Sequence, residues 1–294
     1  MEKKYETLIG VLGWEDRFHD GIKLDIESYN FEKITLIRYT EYNRLTLSSR
    51  KKVEQICENE NITLSYIDIS VSDTVLKWKQ LEEYFLNNDY CLKNILLEIS
   101  TMPRDTTWAL LYFLNSKECN IDYVYHQPNK YNPNWLSKEP GKPRLLFKHS
   151  GISKLGAQTA LIIITGFEVE RAKQLVYFFE PKITYLGLQK GEQFNNKERN
   201  VKMHDSIKGF TEVVEFSIDA YGEGSGYLEI KEQIEKIYNE YNVIITSLGP
   251  KLTSMSIYKI YLEFPEIALS YVPSKEFNTE YSIGIGEKYY GSFN

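Results

Sequence analysis

Cysteine is scarce in this chain: Cys57, Cys91 and Cys119 are the only three among 294 residues, and none sits in a CxxC spacing. Thiols so few and so scattered exclude a disulfide scaffold and a cysteine zinc site, and they point to a reducing compartment. The four histidines, His19, His126, His149 and His204, form no HxxxH or HxH pair. No metal site and no histidine-based nucleophilic triad can be assembled from such spacing. No apolar run approaches the roughly 18 residues that cross a bilayer. Met1-Glu2-Lys3-Lys4 leads into only a short apolar stretch, unlike a secretory leader. Positive charge is not in excess either: the net charge is −6, which excludes a general attraction to nucleic acid or anionic lipid. Walker A, GxSxG and kinase signatures are missing as well. These absences lead us to expect a cytoplasmic protein with no membrane span and no metal. They name no cofactor and no catalytic residue.

What is present is a pattern written twice. Leu8-Ile9-Gly10-Val11-Leu12-Gly13-Trp14-Glu15-Asp16-Arg17 is matched by Leu161-Ile162-Ile163-Ile164-Thr165-Gly166-Phe167-Glu168-Val169-Glu170-Arg171, with Gly13 and Gly166 lying 153 residues apart. Ile95-Leu96-Leu97-Glu98-Ile99-Ser100-Thr101-Met102-Pro103-Arg104 is matched by Val243-Ile244-Ile245-Thr246-Ser247-Leu248-Gly249-Pro250-Lys251, with the prolines 147 apart. Each half alternates short apolar strands with amphipathic helices, which implies a parallel sheet covered on both faces. The fold expected is α/β: two tandem Rossmann-like repeats, over residues 1–150 and 158–294. Residues 127–157 read as a loop or hairpin ending in a short strand at 144–148 and then a linker, echoed by 282–293; within them 128–148, with interleaved Lys and aromatics, is either an ordinary loop or a small basic patch for nucleic acid or nucleotide.

The two Ser-x-x-Pro-cation turns each end a strand and open a helix. In doubly wound sheets ligands bind at that edge, and a helix N-terminus favours an anion. Ser100, Thr101 and Arg104, and then Thr246, Ser247 and Lys251, supply hydroxyls and a cation suited to phosphate, or else are capped helix starts with an incidental base. The Gly-aromatic-Glu…Arg turns close the first strands at the same edge. Glu15 with Arg17, and Glu168 with Arg171, are either structural ion pairs or contacts to a base or sugar, while Trp14 and Phe167 read as packing residues. Asp68, Ser70, Asp73 and Asp219 follow the third strands, as ribose or metal ligands or as solvated loop residues.

With these turns the chain resembles the CRISPR-associated Rossmann-fold (CARF) sensor family and related prokaryotic defence proteins. In that family a motif of the type Asp-x-Thr-Gly-Gly-Thr-Lys opens a helix after the fourth strand and binds nucleotide. Here Glu98–Arg104 and Ile245–Lys251 occupy the similar place, with the Gly-Gly pair absent from the first and reduced to Gly249 in the second. The resemblance implies a nucleotide-binding sensor of an anti-phage defence system, with Arg104 and Lys251 on phosphate. It also implies other defence-system proteins as partners and leaves room for a homodimer. Two other readings stay open: an enzyme that processes a nucleotide or phosphodiester in the same place, and a non-catalytic subunit of a larger complex.

Overall fold

The structure is a computed structural model in which residues 3–87, 93–117, 119–190 and 203–293 are described; Cys91 lies outside them. The first half runs β1 (Lys4–Val11), α1 (Asp16–Ser28), β2 (Asn30–Tyr39), α2 (Leu47–Asn59), β3 (Thr63–Ile69), α3 (Thr74–Asn87), β4 (Asn94–Glu98), α4 (Arg104–Asn115) and β5 (Asn120–His126). An arm follows, with strands β6 (Lys130–Tyr131), β7 (Ser137–Pro140) and β8 (Arg144–Leu145). The second half repeats the plan with β9 (Thr159–Ile164), α5 (Val169–Phe179), β10 (Ile183–Gln189), α6 (Met203–Asp205), β11 (Glu212–Ile218), α7 (Tyr227–Ile237), β12 (Asn242–Ser247), α8 (Leu252–Glu263) and β13 (Ala268–Tyr271). Its arm carries β14 (Ser274–Phe277), β15 (Ser282–Ile283) and β16 (Lys288–Ser292).

Five parallel strands in the order β5-β4-β1-β2-β3 make one sheet, and β11-β10-β9-β12-β13 make the other. This is the expected α/β fold, two Rossmann-like units. Continuous apolar strands bury both faces, so Leu8, Leu36 and Leu96 pack on Phe18 and Ile22 of α1 and on Val53 of α2. In the second unit Leu161, Ile163 and Leu186 pack on Ala172, Leu175 and Val176 of α5. Among the described residues, no helix is long and apolar enough to cross a membrane.

The sixth strand of each sheet comes from the other half of the sequence. β16 pairs antiparallel with β5, and β8 pairs antiparallel with β13. The short arm strands cross in the same way, β15 with β6 and β14 with β7. The compact units are therefore residues 1–136 with 278–294, and residues 137–277. The sequence repeats, 1–150 and 158–294, do not coincide with them. A short polar strand can complete either of two similar sheet edges, and local sequence does not say which.

This connectivity makes unit 2 a continuous segment inserted into unit 1. A fragment 137–277 is expected to give a cooperative thermal transition by itself. Fragments 1–150 and 158–294 each lack a strand of their own sheet, so they should aggregate when expressed singly and copurify when co-expressed. Two separately soluble, cooperatively melting halves would refute the exchange.

Candidate functional site

In each sheet the chain builds outward from the central strand in one direction and then restarts on its other side. The strand order therefore reverses between β1 and β4, and between β9 and β12. The carboxyl ends of these pairs are the expected ligand positions of an open α/β sheet. They carry the two motifs singled out from sequence. Gly13 ends the first strand because Thr101 leaves no room: a Cβ at Gly13 would lie 2.7 Å from the Cβ of Thr101. Thr101 Oγ1 donates to Val11 O at 2.8 Å. Gly166 has the same role, with the Leu248 backbone occupying the space of a side chain.

The hydroxyls predicted at these turns serve the turns themselves. Ser100, fully buried, donates its N–H to Glu98 Oε1 at 2.9 Å and accepts the His126 N–H on Oγ at 2.8 Å. Thr246 Oγ1 donates to Ser270 O at 2.8 Å. Ser247 Oγ lies 2.7 Å from Thr253 Oγ1, which donates to Pro250 O. The cations sit differently. Arg104 is the first residue of the twelve-residue helix α4, behind Pro103, whose φ of −62° is set for a helix start. Lys251 immediately precedes α8. Both are half-buried.

Glu15–Arg17 and Glu168–Arg171 form ion pairs inside their units. Arg17 Nε lies 3.0 Å from Glu15 Oε2, and Arg17 also donates to His126 O at 3.1 Å. Burial opposes its charge, but Glu15, Tyr125 and Tyr131 outweigh burial and hold the guanidinium protonated. Arg171 Nη1 lies 2.8 Å from Glu168 Oε2 and donates through Nη2 to Val272 O. Each carboxylate takes one further donor from an arm strand: Ser282 of β15 donates to Glu15, and Ser137 of β7 donates to Glu168. The two quartets correspond residue for residue, and in each the serine belongs to the exchanged arm.

The loop acids are engaged as well. Asp68 pairs with Arg38 in two hydrogen bonds, and that contact lowers its pKa. Asp73 accepts the Val75 and Leu76 N–H groups at the start of α3. Ser70 donates to Glu41. Asp219 closes a turn onto Tyr221 and Gly222. Within the 128–148 segment, β6 stays in unit 1 and residues from 137 onward are exchanged into unit 2, where Lys142 lies over Phe178 and Arg144 over Tyr271.

At this edge of unit 1, Trp14, read from sequence as a packing residue, is joined by residues that sequence did not single out. Trp14 meets Tyr42 edge-on at 5.8 Å between ring centroids, and Tyr39 meets Tyr42 at 6.1 Å. The Tyr39 hydroxyl bonds Thr106 in the first turn of α4, and buried Lys77 of α3 pairs with buried Asp105 beside Arg104. Glu98, Asp25 and His126 are each 0% exposed. Apart from the local Tyr39–Tyr42 and Glu98–Ser100 contacts, the partners of these residues are tens of residues away, so spacing could not reveal them. One signal was available: Glu98 is a carboxylate within an otherwise apolar strand. Burial pushes its pKa up, against the pull of His126 and Ser100. By strand register and the matched Pro turns, unit 2 has Thr246, Leu252 and Val272 where unit 1 has Glu98, Asp105 and His126. Among the described residues, no group of three or more His, Cys, Asp or Glu is arranged to hold a metal.

Replacing Arg17 by Met would leave Glu15 buried without its cation and should cost about 3–5 kcal/mol in chemical denaturation. A loss below about 1 kcal/mol, the scale of a surface pair, would remove the lock. Glu98 supplies a pH test. Its ordinary value is 4.5 and the folded value is higher, so folded protein loses stability as pH rises from there through the folded value. Glu98→Gln cannot ionise. Its stability relative to wild type should rise between about pH 4 and pH 7; a difference that stays flat or falls contradicts the assignment.

No protein-family profile matches the chain, and no curated protein matches it in sequence. Among solved structures, it is similar to a Type III CRISPR defence DNA nuclease activated by cyclic oligoadenylate, with a TM-score of 0.54 and 8% identity. That match covers 86% of this chain and 63% of the nuclease chain, so this chain spans less than two thirds of it. AraP, an arabinose-binding protein from Geobacillus stearothermophilus, overlaps 92% of this chain and 74% of its own at 9% identity, but its TM-score of 0.22 is too low to argue from. At such identities the likeness is one of fold: this chain has the α/β architecture found in a CRISPR defence nuclease.

Proposed function

We propose that the chain is a nucleotide sensor of a prokaryotic defence system, binding an anionic nucleotide at the carboxyl edge of the unit 1 sheet. The observation that carries this reading is the position of Arg104. It opens α4 at the strand-order reversal, where helix N–H groups and a guanidinium favour phosphate oxygens. At the same edge, half-buried Trp14 and Tyr42, backed by buried Tyr39, give an aromatic surface of the sort on which bases stack. Cyclic oligoadenylate, the activator of the similar nuclease, is the first ligand to try, and other defence proteins are the natural recipients of the signal. Lys251 is the counterpart cation in unit 2.

The test is a thermal-shift screen against mono-, di- and cyclic oligonucleotides, with mass spectrometry of each mixture afterwards. A nucleotide that stabilises the protein and survives intact supports a sensor, one that is consumed makes the protein an enzyme, and no shift with any of them removes the reading. Arg104→Ala should weaken binding by about 1.5–3 kcal/mol, the scale of a hydrogen bond to a charged group, while its melting temperature without ligand stays near wild type. Equal affinity in wild type and Arg104→Ala would move the site elsewhere.

A further inference from the structure

We propose that a chain of polar groups, buried Glu98, His126 and Asp25 with half-buried Lys288, couples the Ser100–Arg104 turn to the C-terminal arm, so that ligand at the turn and seating of β16 reinforce each other. This deepens the reading of the turn as an anion site and rests on it.

His126 is the hub. Its backbone N–H bonds Ser100 Oγ at 2.8 Å, and Ser100 donates its own N–H to Glu98. Its ring Nε2 lies 3.0 Å from Asp25 Oδ2. The other oxygen of Asp25 lies 2.8 Å from Lys288 Nζ, on the arm. Lys288 is the residue opposite His126 in the β16–β5 register, and its ammonium also lies 4.4 Å from the Tyr29 ring centroid. A second connection runs from His126 O through Arg17 and Glu15 to Ser282 of the same arm.

Two observations argue that the ring connection exists for something beyond the fold. The first is its cost. Glu98, Asp25 and His126 are all 0% exposed, and Glu98 Oε2 and His126 Nδ1 have no hydrogen-bond partner among the described residues. Burying such groups works against stability. Helix α1 also contains Gly21, a poor helix former, where a Cβ would lie 2.6 Å from His126 Cδ2. The helix gives up a side chain to admit the ring. The second observation is the other unit. Unit 2 keeps the arginine connection, from Val272 O through Arg171 and Glu168 to Ser137. It has the neutral Thr246, bonded to Ser270 O, and Val272 in place of Glu98 and His126, and α5 has no glycine. The same architecture therefore closes without the ring. What unit 1 gains is a continuous path from its anion-binding turn to the arm.

The test is hydrogen–deuterium exchange on the whole chain, first without ligand. Lys288→Met, which cuts the arm from Asp25, should speed exchange of the Ser100–Arg104 amides about fivefold or more, the lower end of ordinary couplings. In a His126→Val background, the unit 2 residue, the same substitution should add nothing; Asp25→Asn serves as a second background if His126→Val folds poorly. No change at the turn in Lys288→Met overturns the coupling, and so does an equal change in both backgrounds. Cyclic oligoadenylate is then added to wild type, and exchange at residues 288–292 should slow by a similar factor. Binding with an unchanged arm overturns the coupling and leaves the site intact. Absence of binding overturns the reading of the site, and the ligand-free comparison alone then decides the coupling.

Discussion

The organisation of the chain depends on a carboxylate–guanidinium pair taken out of water. Glu15 with Arg17, and Glu168 with Arg171, sit where the first strand of each repeat ends. Each pair also grips the backbone carbonyl at the end of the fifth strand and a serine of an arm that began in the other repeat. An ion pair in water contributes little, whereas a buried one is costly unless every lone pair and proton finds a partner. Here the arm serine provides one of those partners. Without the arm the carboxylate would lose a donor inside the protein, so arm seating and ion-pair satisfaction stand or fall together. That requirement explains why a polar arm holds its place on a sheet edge that apolar contact alone would secure poorly.

The same plan realised twice allows the two units to be compared. Both need glycine at the first turn, because the turn after the fourth strand presses against it. Both need the ion pair. Among the described residues, unit 1 adds buried acids, a buried lysine and a histidine around its fourth-strand turn, where unit 2 has threonine, leucine and valine. On the proposed reading, electrostatic cost concentrated in one copy of a duplicated fold makes that copy the candidate for the ligand, since perturbed and desolvated ionisable groups gather at functional sites. On the same reading unit 2 supplies chiefly architecture, with Lys251 as its counterpart cation.

Much of the fold was legible because apolar runs and helical periodicity are local. The strand Thr63–Ile69 and the helix 252–263 have the bounds that their patterns imply, and the duplication was visible in Gly13/Gly166 and Pro103/Pro250. The exchange of arms was not legible. Lys288–Ser292 could complete either sheet edge, and the choice is made by Asp25 and Glu15, more than 260 residues away. The site was legible in outline only. The cations of the Pro turns do lie at the strand-order reversal, but the hydroxyls beside them are spent on the backbone. The aromatic and buried charged neighbours of Arg104 come from β2, α1, α3 and β5, and only tertiary structure brings them to one edge. Glu98 was the exception, detectable as an acid in an apolar strand.

The most direct measurement is a crystal structure of the chain grown with cyclic oligoadenylate. The account predicts phosphate density against the Ser100–Arg104 turn of unit 1, with the Arg104 guanidinium on a phosphate oxygen and a base against Trp14 or Tyr42. Ligand density away from that turn, or none at saturating concentration, would contradict it.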